Sequence, residues 1–265
     1  MFVVAITWLA GDLEASAGPL ASLLGLAAYD IRTRVGGVLP AVVAQSPSAE
    51  EATRALEGVR ALGHRALMCD TREVIATHGM VDVHRFRLDE RSVYANDGDA
   101  DRMSFDDIGA LIVVTTRSNV VRSKVERAPA SVGARPPMRV EREHESRERL
   151  DEHALYLVPR GDHGAPTRRP WVLRQSTAQY LSLGPRMRPT RPENFAVIVH
   201  VLRERAPRAK FDDRFAVHPR TTSDGIHVHG NATVAAPSDA GTDLAVHLLA
   251  RSLQAASGGV YRSVT

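Results

Sequence analysis

Cysteine is almost missing. Cys69 is the one thiol in 265 residues, which excludes an internal disulfide framework and fits a reducing compartment. It also argues against a thiolate zinc site built within one chain. Cys69 lies in an apolar, β-like run beside Asp70. Burial and a neighbouring carboxylate both raise a thiol's pKa, so it reads as an inert core residue and not as a nucleophile. Long apolar runs are missing as well. No stretch approaches the roughly 20 residues that a membrane-crossing helix needs. The apolar start, Phe2 to Leu9, has no Lys or Arg before it, and Asp12 and Glu14 follow directly. It reads as a buried strand and not as a secretion signal, despite the small residues Ala15-Ser16-Ala17. The expectation is a cytoplasmic protein with no transmembrane segment.

The third absence is of motifs. There is no G-x-x-x-x-G-K-[ST] to cradle phosphates and no G-x-G-x-x-G to seat a dinucleotide. H-E-x-x-H, C-x-x-C and G-x-S-x-G are missing too. No cofactor and no catalytic residue is expected on these grounds, and a non-enzyme is the favoured reading.

What is present is an ordinary globular composition, 43% hydrophobic and 25% charged, with the charge unevenly spread. Residues 1–116 carry a formal balance of −6, residues 117–210 of +10 and residues 211–265 of −1. Arginine supplies most of the basic middle, and guanidinium pairs well with phosphate. Arg117, Arg122, Lys124, Arg127, Arg168, Arg169, Arg174, Arg186 and Arg188 are therefore the candidate polyanion-binding residues, within the segment 117–191. A nucleic acid or an anionic lipid surface is the partner they imply. Glu141, Glu143, Glu145 and Glu148 interleave with the arginines and offset part of that charge.

Hydrophobic spacing divides the chain. Residues 1–75 read as a β-α-β-α-β module. It comprises strands at Phe2–Leu9, Leu39–Ala44 and Ala66–Cys69, a helix opened by Gly18-Pro19, and a helix opened by the capping box Ser48-Ala49-Glu50-Glu51. From 80 to 210 the chain reads as mainly β, with a hairpin turning at Asp89-Glu90-Arg91 and a strongly β-prone run at Ala110–Val114. Strands follow at Ala154–Val158, Trp171–Arg174 and Ala178–Leu181, then a helix opened by a second capping box, Thr190-Arg191-Pro192-Glu193. Residues 117–150 are charged, Pro-bearing and poor in large apolar residues. They read as a flexible basic insertion. Residues 211–265 read as a loop followed by an amphipathic helix whose Leu244, Leu248, Leu249 and Leu253 face the body.

The expected fold class is α+β. The order of elements around Phe86-Arg87-Leu88, Ile108–Val114, Leu155-Tyr156-Leu157, Trp171–Arg174 and Pro189–Arg205 resembles a pleckstrin-homology-like barrel with a closing helix. Residues 1–75 are similar to small ferredoxin-like modules. Leu24-Gly25 with Tyr29-Asp30-Ile31-Arg32, Pro192-Glu193-Asn194-Phe195 and Thr242–Ala250 resemble segments of uncharacterised Ala- and Arg-rich bacterial proteins, a likeness that implies no activity.

Histidine is the remaining chemical signal, with 11 copies. His227-Val228-His229 places two imidazoles on one face of a strand, a usable pair of metal ligands, with His218 and Asp224 near in sequence. Asp97, Asp99 and Asp101 look like a calcium loop only until position 12, where Ile108 replaces the bidentate Glu. Three functions follow. The first is a non-catalytic interaction or scaffold protein with a protein partner. The second is a binder of nucleic acid or anionic lipid through 117–191. The third is a cryptic metal-dependent enzyme at His227 and His229.

Overall fold

The computed structural model describes residues 1–96, 101–127, 141–161, 168–218, 220–221, 226–229 and 240–255. Side chains are described within these ranges except at 118–127, 141–150, 220–221 and 226–229.

The first unit begins with β1 (Phe2–Trp8), α1 (Leu13–Leu24) and α2 (Ala28–Val35), followed by β2 (Ala41–Ser46), α3 (Ala49–Ala61) and β3 (Arg65–Asp70). The first helix starts earlier than its Gly-Pro pair suggests, because the Asp12 side chain accepts from Glu14 N and caps it at Leu13. Pro19 lies inside the helix, and Gly25, at φ 67°, ends it in the left-handed conformation that costs glycine least. At α3 the Ser48 hydroxyl accepts from Glu51 N, but the Glu51 carboxylate binds the Ser46 hydroxyl at 2.5 Å. Only half of the expected capping box forms.

These strands make a sheet ordered β2-β1-β3, with both pairings antiparallel. One face, carrying Val4 and Ile6, is covered by Leu20, Ile31, Ala52 and Val59 of the three helices. The other face carries Val3, Ala5, Leu67 and Cys69. Three strands are described here, not the four of a complete ferredoxin-like sheet.

The second unit continues with β4 (Val81–Asp82), β5 (Phe86–Leu88), β6 (Ser92–Ala95), β7 (Arg102–Ser104), β8 (Ile108–Arg127), β9 (Glu141–Pro159) and β10 (Trp171–Arg174). It then has α4 (Arg191–Arg205), β11 (Lys210–Asp212), α5 (Arg214–Val217), β12 (Arg220–Thr221) and β13 (Ile226–His229), before α6 (Ala240–Ala255). The main sheet runs β11-β8-β9-β10-β4, with β12 and β13 also on β8. The β5-β6-β7 meander is a separate sheet, and no barrel closes among the described strands. The hairpin at Asp89 forms as its sequence suggests: one Asp89 carboxylate oxygen accepts from both Arg91 N and Ser92 N. The strand expected at Ala178–Leu181 reduces to one bridge, Arg85 with Gln179.

The largest departure from expectation lies in 117–150. Residues Arg117–Arg127 and Glu141–Leu150 are strand, not irregular insertion, and they pair in continuous register. The register explains why so polar a stretch extends. It sets Arg127 opposite Glu141, Glu126 opposite Arg142 and Arg117 opposite Asp151, and cross-strand opposite charges favour pairing. The remainder of the expected flexible insertion, 128–140, lies outside the described residues.

Alternation along β8 to β10 gives the main sheet two apolar faces. Leu111, Val113, Leu155, Leu157, Trp171 and Leu173 pack on Phe195, Ile198 and Leu202 of α4 and on Phe86, Val93 and Met103 of the meander. Ala110, Ile112, Val114, Ala154, Tyr156 and Val172 pack on Ala245, Val246 and Leu249 of α6. The opposite side of α6 contributes Leu248, with Leu244 beside it, to the inner face of the first sheet. The helix expected to lie on the body is therefore a middle layer between two sheets. The fold is mixed α+β, and no helix among the described residues is long and apolar enough to cross a membrane.

Candidate functional site

The nine basic residues singled out by sequence do not share one surface role. Arg117 makes a two-pronged pair with Asp151 at 2.8 and 2.7 Å. Arg168 binds Asp107 at 3.0 Å, and Arg174 binds Asp82 at 3.0 Å. Arg169 donates to the carbonyls of Gly79 and Met80. Arg117 and Arg174 thus tie neighbouring strands of the main sheet, β8 to β9 and β10 to β4, while Arg168 and Arg169 tie the loop before β10 to the segments before β8 and β4. Arg122, Lys124 and Arg127 lie on β8 opposite Ser146, His144 and Glu141; their side chains are outside the described ones.

Arg186 and Arg188 are different. Both are exposed, and among the described residues neither guanidinium has a partner. They border an open groove of about 580 Å³ against α4, lined also by Pro185, Ala196, Val197, His200, Val201 and Glu204. Val197 and Val201 give it an apolar floor, and His200 and Glu204 form an i,i+4 pair at 3.2 Å on the far wall. The two arginines give the groove its positive charge, and Glu204 on the far wall offsets part of it.

The local sequence holds this shape. Gly184, at φ 54°, lets the chain turn back between Leu181 and Met187. Asn194 is buried and is satisfied on both sides of its amide. Its Oδ1 accepts from Arg188 N at 2.7 Å, and its Nδ2 donates to the carbonyls of Arg188 and Thr190 at 2.9 and 2.8 Å. A buried amide so fully used specifies one backbone path for the segment carrying both arginines. The second capping box forms completely, with Glu193 N donating to Thr190 Oγ1 and Thr190 N to the Glu193 carboxylate. Arg191 adds bonds to the carbonyls of Ser176 and Ala178.

Among the described residues, no other cluster assembles for chemistry. His227 and His229 lie on β13 opposite Val121 and Ser123 of β8; their side chains are outside the described ones. Asp224 lies outside the described residues, as do Asp97 and Asp99. No group of three or more metal-ligating side chains occurs among the described residues. Cys69 is buried, its Sγ donates to the Asp70 carbonyl, and burial raises its pKa. A thiol in that state is a poor nucleophile.

The fold and the groove together define a layered α+β protein with a cationic cleft on one helix. No family model, curated protein or solved structure matches the chain. The sequence marked Arg186 and Arg188 as basic, but it gave no sign of Ala196, Val197, His200, Val201 or Glu204 as their neighbours. Those residues become a wall only when the loop folds back on α4.

Proposed function

We propose that this chain is a non-catalytic, cytoplasmic interaction protein that receives an acidic segment of a protein partner in the groove beside α4. The observation that carries the reading is that Arg186 and Arg188, whose guanidinium groups have no partner among the described residues, border an apolar floor on a backbone that buried Asn194 fixes at Arg188. Guanidinium groups free to form forked bonds suit carboxylates of an extended segment, and Val197 with Val201 suits an apolar residue between them. A nucleic acid or lipid surface is the less favoured partner. Four of the arginines that suggested it are already paired or bonded within the fold. The order of elements across 80–210, like that of pleckstrin-homology-like binding domains, supports a recognition role by analogy alone. The single buried cysteine fits a reducing cytoplasm.

The test is fluorescence anisotropy with acidic dodecapeptides that place one Leu or Phe among Asp and Glu. Binding should weaken as salt rises. Reversing both charges, with Arg186→Glu and Arg188→Glu, should lower affinity at least about tenfold. Equal affinity of the double variant overturns the proposal. Tighter binding of single-stranded DNA or anionic vesicles than of any peptide replaces the protein partner with that polyanion.

A further inference from the structure

The two edges of the long β8–β9 ribbon differ. On β8 the outer edge is taken by β12 at Thr116–Arg117 and by β13 at Val120–Ser123. On β9, β10 covers the outer edge only from Ala154 to Leu157. Between Glu141 and Leu150 no described strand pairs there.

Backbone alternation identifies which groups that edge presents. Gln175 N donates to the His153 carbonyl from that side. The register is unbroken from Ala110 opposite Val158 to Arg127 opposite Glu141. In an antiparallel strand both backbone groups of a residue face the same neighbour, and alternate residues face opposite ones. The N–H and C=O of Glu141, Glu143, Glu145, Arg147 and Arg149 therefore face the same way as those of His153. They form a ready template for another strand.

We infer that a second copy of this chain adds to this edge, its β9 antiparallel to the first, about a two-fold axis at Glu145. The order of charges supports that occupant. The segment reads Glu141-Arg142-Glu143-His144-Glu145-Ser146-Arg147-Glu148-Arg149. Centred on Glu145, it sets Glu141 against the partner's Arg149, Arg142 against the partner's Glu148 and Glu143 against the partner's Arg147. His144 meets the partner's Ser146. Symmetry repeats each pair, and Glu145 alone meets its own kind.

Other registers lose this match. An axis at His144 sets Glu143 against the partner's Glu145. An axis at Ser146 sets Glu141 against the partner's Asp151. An axis at Arg147 opposes two arginines and sets Glu143 against the partner's Asp151. A charged edge rejects strands in general, but it admits one that carries the inverse order of charges, and this segment is its own inverse. The contact is self-complementary, as a two-fold interface must be. It ends at Arg149, short of Ala154 where β10 begins.

Sedimentation of the full chain tests this directly, with circular dichroism to check that each variant is folded. The chain should dimerise as its concentration rises. Glu143 and Arg147 oppose Val125 and Val121 on β8, so reversing either charge sets up no clash at the paired position within one copy. Arg147→Glu and Glu143→Arg should each weaken the dimer about tenfold or more, and the double variant should restore it. Directly opposed Cα atoms at a hydrogen-bonded pair lie about 5.5 Å apart, within reach of a disulfide. Mild oxidation of Glu145→Cys should thus give a covalent dimer, while buried Cys69 stays reduced in the parent chain. A chain that is monomeric at every concentration overturns the inference. So do single variants that dimerise as well as the parent, or cross-linking through Ser146→Cys in place of Glu145→Cys.

Discussion

His247 shows how one side chain on the central helix sets a pH response. Its Nε2 is buried without a partner among the described residues. Burial, reinforced by the cation of Arg251, pulls its pKa down from 6.5 to about 4. The unfolded chain therefore binds a proton that the folded chain refuses between those two values. The stability that neutral His247 permits is complete above pH 6.5 and is lost as pH falls toward 4. The loss amounts to as much as about 3 kcal/mol. His64 acts in the same direction, since its Nδ1 accepts from Ala10 N and burial lowers its pKa. Denaturant melts across this window should show His247→Leu with a flatter pH dependence than the parent chain; an unchanged slope would show that His247 is not the group responsible. At this scale the sequence was informative about residue type and silent about state. Nothing local distinguishes Arg174, spent on Asp82, from Arg188, whose guanidinium has no partner among the described residues. The difference is set by a partner 92 positions away in the chain.

Among the elements, those with their own local signals were legible. The Thr190 capping box, the Ser48 cap, the Asp89 turn and the apolar spacing of α3, α4 and α6 could be read directly, because each depends on residues within a few turns of one another. The β8–β9 ribbon could not. Beyond Arg117 it is rich in charged and polar residues, which in isolation resemble a solvated loop, and its partner strand begins only at Glu141. The ribbon also depends on a glycine. At Gly109 the register slips between Ile108 and Ala110, and an added Cβ would come within 2.9 Å of the Arg160 Cα and 2.7 Å of the Gln254 side chain. Backbone at that distance cannot move aside as a side-chain tip can. Gly109→Ala should cost about 1–3 kcal/mol, read as a lower denaturation midpoint at constant slope.

The whole molecule is joined through α6. Leu248, 1% exposed, belongs to the core under the first sheet, and Leu249, 0% exposed, to the core under the second. Adjacent residues on one helix thus serve different sheets, and the cleavage at residue 75 that sequence patterning suggests is bridged. The two tryptophans report on the two sides, Trp8 from the first sheet and Trp171 from the second. Single-tryptophan variants, Trp8→Phe and Trp171→Phe, should unfold with coincident midpoints. Separate transitions would mean that α6 does not couple the sheets.

The position of α6 in the order of synthesis adds a kinetic consequence. Every described strand precedes it, so on the ribosome both sheets hold an uncovered apolar face until residues 240–255 emerge. Through that interval the nascent chain is a natural client for chaperones. Weakening α6 should therefore lower the yield of native protein in the cell more than its effect on the purified, folded molecule would suggest.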